Sequence, residues 1–201
     1  MLLIDIGNTN YHIYRDGKTV HMKDIGTYDE EIYYISVNKN KEKELLLKNP
    51  HAVNLKPYVK FKTSYKGLGI DRIMACKSIK NGTVVDAGSA ITVDVMKDGE
   101  HMGGFIMPGI YAFKRAFGTI SEVLKLNPSK ITSELPNCTQ DALNWGSVGA
   151  VKCLIEKTAY DTVYVTGGDG EFLSSQLENA EYIEDLVFRG MIITIKEMEK
   201  K

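Results

Sequence analysis

Two short segments of this chain carry the residue types that handle metal-bound phosphate. A hydrophobic run enters Asp5-Ile6-Gly7-Asn8-Thr9-Asn10, and a second enters Asp86-Ala87-Gly88-Ser89-Ala90-Ile91-Thr92. In each, a carboxylate closes a strand and a glycine opens a turn. Glycine lets backbone N–H groups come close to phosphate oxygens, and an aspartate at a strand end can hold magnesium, usually through water. The competing reading is a plain hairpin turn, with Gly7 and Asn8 present for their tolerance of positive φ. One copy alone favours the hairpin. Two copies, with Thr166-Gly167-Gly168 after a third strand, favour phosphate.

A further acidic position could supply a base. Asp71 follows Gly67 and Gly69, which admit a substrate to the backbone, and precedes Arg72, a fixed cation suited to an anionic or polar group. In phosphoryl transfer a carboxylate with an ordinary pKa of about 3.9 can orient a hydroxyl and accept its proton late. Asp71 also stands where a helix starts, so a capping role stays open beside that of base. Gly103-Gly104-Phe105-Ile106-Met107-Pro108-Gly109 is either a strand edge with a sharp exit or part of the same site. Neither a Gly-x-x-x-x-Gly-Lys-Ser/Thr loop nor a Gly-x-Gly-x-x-Gly turn opening a helix is present, which excludes the two common phosphate cradles.

The elements that must position these residues read as a duplicated α/β arrangement. After each aspartate–glycine turn comes another apolar run, Tyr11 to Tyr14 or Ile91 to Met96, and then a hairpin tip, Asp16-Gly17 or Asp98-Gly99. Strands are expected at 2–6, 11–14, 19–23, 32–37, 53–61, 83–85, 91–96, 101–106 and 163–165. Helices are expected from Lys39 to Asn49, after Asp71, from Ile110 to Leu126 and from Gln140 to Thr158 with Thr139 as cap. Gly146 and Gly149 leave one face of the last of these without side-chain bulk. The stretch from Arg189 to Lys201 reads as a charged helix with a solvated face. The repeat implies two lobes, 1–80 and 81–201, presenting two aspartates to one cleft.

Bulk properties narrow the partners. The chain has 201 residues, 43% apolar and 25% charged, with a net charge of −1 and a pI of 6.4, so nothing draws it as a whole to nucleic acid or an anionic membrane. Cys76, Cys138 and Cys153 form neither a disulfide framework nor a zinc knuckle, which fits a reducing cytoplasm. No signal-peptide core or membrane-length apolar run is expected. His12, His21, His51 and His101 never fall at metal-ligand spacing and read as surface or packing residues.

Five segments in order resemble the type III pantothenate kinases: Asp5-x-Gly7-Asn8-Thr9, Gly69-Ile70-Asp71-Arg72, Asp86-x-Gly88-Ser89-Ala90-x-Thr92-x-Asp94, Gly103-Gly104-x-Ile106-x-Pro108-Gly109 and Thr166-Gly167-Gly168. The resemblance spans nearly the whole chain. It implies two ribonuclease-H-like lobes of the acetate and sugar kinase, Hsp70 and actin superfamily, and a homodimer with active sites near the interface. The implied reaction is phosphorylation of pantothenate by ATP. Asp5, Ile6, Gly7, Asn8, Thr9, Asn10, Tyr11, His12 and Ser89 would bind ATP, with Asp5 near magnesium through water. Tyr65, Gly69, Ile70, Asp71, Arg72 and Thr139 would bind pantothenate, with Asp71 as base. Asp86 would hold a monovalent cation, potassium or ammonium, and Thr166 to Gly168 resembles the adenosine motif. Ser89 replaces the usual threonine, Cys138 stands where asparagine often precedes Thr139, and the chain is short between the first turn and Tyr65. The alternatives are a non-catalytic nucleotide- or pantothenate-binding regulator on this fold and a kinase for another small hydroxyl acceptor.

Overall fold

The computed structural model describes residues 1–132 and 134–200. In chain order the first elements are β1 (Leu2–Ile6), β2 (Tyr11–Arg15), β3 (Lys18–Met22), β4 (Ile32–Ser36), α1 (Lys39–Lys48), β5 (Val53–Asn54) and α2 (Ile70–Lys77). Then come β6 (Gly82–Ala87), β7 (Ala90–Lys97), β8 (Glu100–Pro108), α3 (Ile110–Ile120), α4 (Thr139–Asn144), α5 (Ala150–Thr158), β9 (Val163–Thr166), α6 (Gly170–Ser174), β10 (Ala180–Tyr182) and α7 (Leu186–Glu199). These fall into two compact units. Unit 1 takes Met1–Lys80, Asp98–His101 and the chain from Asp185 onward, and unit 2 takes Asn81–Lys97 and Met102–Glu184.

The duplication is deeper than the three-strand repeat in the sequence. One sheet has the order β3-β2-β1-β4-β5 and the other, read from its opposite end, β8-β7-β6-β9-β10. In both, the first strand of the repeat is antiparallel to the second and parallel to a later one, as β1 is to β4 and β6 to β9. Both hairpin tips are built alike. Asp16 and Gly17 have φ of 49° and 80°, and Asp98 and Gly99 have 52° and 78°, the double positive φ that matches a tight turn to the twist of its strands.

In unit 1, Leu2, Ile4 and Ile6 of β1 join Tyr11, Ile13, Ile32, Tyr34 and Leu45 of α1 in one core. Asn38 starts α1 by accepting from the N–H groups of Asn40 (3.1 Å) and Lys41 (3.2 Å). α7 corrects the expectation of a solvated tail in the second lobe. It buries Leu186, Val187, Phe188, Gly190, Met191, Thr194 and Ile195, packs on α2 in unit 1, and stacks Phe188 on Tyr14. Only its last turns are as polar as their composition suggests. Gly190 makes the helix contact possible, since a Cβ there would lie 2.7 Å from the Met74 carbonyl carbon.

The core of unit 2 joins Val85, Ala87, Ile91 and Val93 to Ile110, Val148, Val151, Ile155, Val163, Val165 and Leu173. Several expected boundaries move. The strand from residue 53 stops at Asn54, and a 3₁₀ turn, Lys56–Tyr58, follows with Pro57 at its second position. α3 ends at Ile120, where Ser121 turns extended. The expected helix from 140 to 158 is split by a π-helical turn at Trp145–Gly149, where the side chain of Ser147 bonds back to the Leu143 carbonyl (2.6 Å).

Candidate active site

In the first turn the Gly7 N–H bonds to the Asn10 carbonyl (3.1 Å), closing a loop of four residues between the paired Ile6 and Tyr11. Asn8 and Thr9 are exposed at its tip, and Asp5 is half-buried with Oδ1 fully enclosed. Ile6 and Tyr11 are buried, and the Tyr11 hydroxyl lies 2.9 Å from both a Glu44 carboxylate oxygen and the Lys41 carbonyl, sharing its one proton between them, so neither side chain is open to a nucleotide. The second turn is one residue shorter: Gly88, Ser89 and Ala90 lie between the paired Ala87 and Ile91, and the Gly88 N–H bonds to the Ala90 carbonyl (3.0 Å).

Around Asp71 the capping question has a definite answer. Gly69, not Asp71, is the N-cap of α2. Asp71 lies in the first turn and its Oδ1 accepts from the Arg72 N–H (2.8 Å), which anchors the carboxylate at the positive end of the helix. A side chain at Gly69 would collide with that same oxygen, so the glycine keeps the approach to Asp71 open. The guanidinium of buried Arg72 lies 5.1 Å from the centroid of the Tyr65 ring, a cation–π pair that brings two expected pantothenate positions together. Buried His101 meets the same Tyr65 ring edge to face, with ring centroids 5.9 Å apart at 62°, and its Nδ1 is 2.8 Å from the Thr63 hydroxyl.

In unit 2 three motifs far apart in sequence meet at one turn. Asp86 pairs with Thr92 on one side and Thr166 on the other. Gly167, at φ 91°, packs so closely that a Cβ would strike the Asp86 carboxylate and lie 2.8 Å from the Ala87 carbonyl carbon. The Asp169 N–H donates to the Ala87 carbonyl (2.9 Å), and burial raises the pKa of Asp169 itself. From the other direction the Gly109 N–H bonds to the Ser89 carbonyl (3.2 Å), and a Cβ at Gly109 would lie 2.7 Å from that oxygen. The Gly103 to Gly109 segment is therefore more than a strand edge, since its end locks the second turn. Thr139 is the first residue of α4, exposed, with Cys138 rather than Thr139 at the N-cap position.

The donor sets fit the cations in chemistry. Among the described residues no group of three or more His, Cys, Asp or Glu could chelate a metal. A lone carboxylate beside a glycine turn suits magnesium that keeps its waters and binds phosphate oxygens, and the carboxylate and carbonyl oxygens around Asp86 suit a hard monovalent ion.

Two contacts of this region are made by residues outside the motifs. The Asn38 side chain donates to the Asn8 carbonyl (3.4 Å) and so ties the first turn to α1. His21 faces His12, with their Nδ1 atoms 2.7 Å apart. The signal for it was present: counting outward from the Asp16-Gly17 tip sets Arg15 against Lys18 and, three pairs on, His12 against His21.

The model of the family described as type III pantothenate kinase matches residues 35–161. A type III pantothenate kinase of Wolinella succinogenes is 46% identical over 100% of this chain and 99% of its own. The chain belongs to this family. A crystal structure from Campylobacter jejuni, described as a Baf family transcriptional activator, superposes with a TM-score of 0.89 at 40% identity, covering 100% of both chains. MreB5 of Spiroplasma citri bound to ADP superposes with a TM-score of 0.51 at 8% identity over 99% of this chain and 97% of its own, a likeness of fold alone, that of the actin-like ATPases. No described helix of this family member is long and apolar enough to cross a membrane.

Proposed function

We propose that this protein transfers the γ-phosphoryl group of ATP to the primary hydroxyl of pantothenate, giving 4'-phosphopantothenate, the first step towards coenzyme A. Family membership over the whole chain supports the reaction, and the anchored carboxylate of Asp71 is the observation that carries its mechanism. Asp71 orients the hydroxyl and takes its proton. The hydroxyl oxygen forms a bond to the γ-phosphorus as the bond to the bridging oxygen of ADP breaks, and ADP leaves. Arg72 and Tyr65 hold pantothenate, with Gly69 and Ile70 presenting backbone to it and Thr139 as a further contact. Asp5 to His12 and Ser89 hold ATP, and Thr166 to Gly168 the adenosine. Magnesium held near Asp5 through water, and potassium or ammonium at Asp86, would offset the phosphate charge. The protein acts in the cytoplasm as a homodimer.

A coupled assay with magnesium ATP and pantothenate, in potassium or in sodium, tests the reaction. ADP release should require pantothenate and be faster in potassium; no pantothenate-dependent ADP in either salt would reject the reading. Asp71→Asn should abolish turnover while calorimetry still detects ATP binding, and near-normal activity would remove Asp71 as the base. The description of the Campylobacter jejuni structure as a transcriptional activator favours a second reading, a regulator that binds nucleotide or pantothenate without turnover. Binding of both ligands with no ADP formed would support that reading.

A further inference from the structure

β2 and β3 place two histidines directly opposite each other, with their Nδ1 atoms 2.7 Å apart and the rings edge to face at 84°. At that distance one nitrogen must carry the shared proton and the other must accept it. The other ring nitrogen of His12 lies over the first turn: a Cβ at Gly7 would be 3.4 Å from His12 Nε2.

Two arrangements are available. If His21 donates, His12 carries its proton on Nε2 and offers an N–H at the turn. If His12 donates, Nε2 presents a lone pair there, which would repel a phosphate oxygen. His21 is exposed, so water satisfies its remaining nitrogen in either case. An anion at the turn therefore selects the first arrangement.

We propose that His21 is a positioning residue for ATP: its Nδ1–H donates to His12 Nδ1 and fixes His12 as the tautomer whose Nε2–H faces the phosphates. The Nε2–H of His12 then donates to a phosphate oxygen. This rests on the reading of the first turn as the phosphate site, and it adds a residue outside the family motifs.

The test uses the full-length protein and magnesium ATP. His21→Phe removes the donor and should raise the KM for ATP roughly 5-fold, the size of one net hydrogen bond, with kcat and the KM for pantothenate within about twofold. His21→Asn returns an N–H at the Nδ1 position and should restore the KM. Nitrogen-15 NMR of the wild-type rings with ATP bound should show His12 protonated on Nε2, and calorimetry should show the same loss of ATP affinity in His21→Phe as the kinetics. A His12 protonated on Nδ1 in the ATP complex overturns the proposal, as does an unchanged KM in His21→Phe whose melting temperature matches wild type. If the protein binds ATP but does not phosphorylate pantothenate, calorimetry and NMR still decide the histidine pair separately from the reaction.

Discussion

Gly167→Ala offers a sharp test of how unit 2 is assembled, because Gly168 beside it supplies the control. Gly167 has φ 91°, where a residue with a Cβ is strained, and holding alanine in the left-handed region costs about 1–2 kcal/mol. The new methyl would also lie 2.8 Å from the Ala87 carbonyl carbon, and backbone cannot swing aside as a side chain can. Overpacking of this kind costs about 1–3 kcal/mol. The sum is roughly 2–5 kcal/mol, or a fall in melting temperature of roughly 5–15 °C for a chain of this size. At Gly168 an added methyl would meet no heavy atom within 4 Å, and the residue is exposed, so Gly168→Ala should stay within about 0.5 kcal/mol of wild type. The assays are thermal unfolding by circular dichroism and ATP titration calorimetry. Gly167→Ala should also weaken ATP, since the displaced neighbour is the Asp86 turn. Equal melting temperatures for the two variants, or a Gly167→Ala protein within about 1 °C of wild type, would refute the close packing of the Thr166 to Gly168 loop on Asp86 and Ala87.

Gly190→Ala should lower stability by about 1–3 kcal/mol despite alanine's better helix propensity, because its methyl would meet the backbone of Met74; because α2 carries Asp71, kcat should fall with it, and unchanged melting and kinetics would count against this contact. Arg72→Lys keeps the charge but loses the planar stack on Tyr65, so the KM for pantothenate should rise about 5-fold or more, whereas Tyr65→Phe retains the ring and should bind pantothenate nearly as wild type; steady-state kinetics of both variants checks the pair. His12, with a pKa of about 4 when folded against 6.5 unfolded, contributes stability that is fully present above pH 6.5. As pH falls the unfolded chain takes up a proton that the folded ring refuses, so this contribution is lost from pH 6.5 down to about 4. Its partial exposure reduces the ceiling to about 2 kcal/mol. Urea unfolding at pH 7 and pH 4.5 should show His12→Gln losing less stability on acidification than wild type, and equal losses would remove His12 from the account.

Much of the fold could be read locally because the features that define it are local. Asp16-Gly17 and Asp98-Gly99 declare their turns through a backbone conformation that few other pairs adopt, and β1 declares itself through a short run of buried residues. The two glycine turns and the Gly69-Ile70-Asp71-Arg72 segment were equally visible, since the chemistry proposed for each needs particular residue types at adjacent positions.

Other features depended on residues distant in sequence. The acidic and basic residues near the end of α7 concealed a face that buries Phe188 and Met191, and Gly190 reveals its purpose only beside Met74. The π-helical turn at Trp145–Gly149 interrupts a pattern that local propensity would continue as one helix. By itself the sequence determined the turns, the strands of the repeat and the acidic positions, because backbone sterics and side-chain chemistry act within a few residues. Only the tertiary structure decided that Gly69 caps the helix of Asp71, that Gly109 and Gly167 close on the Asp86 turn, and that His21 meets His12, because close packing and hydrogen bonding between strands are properties of pairs the chain brings together only when it folds.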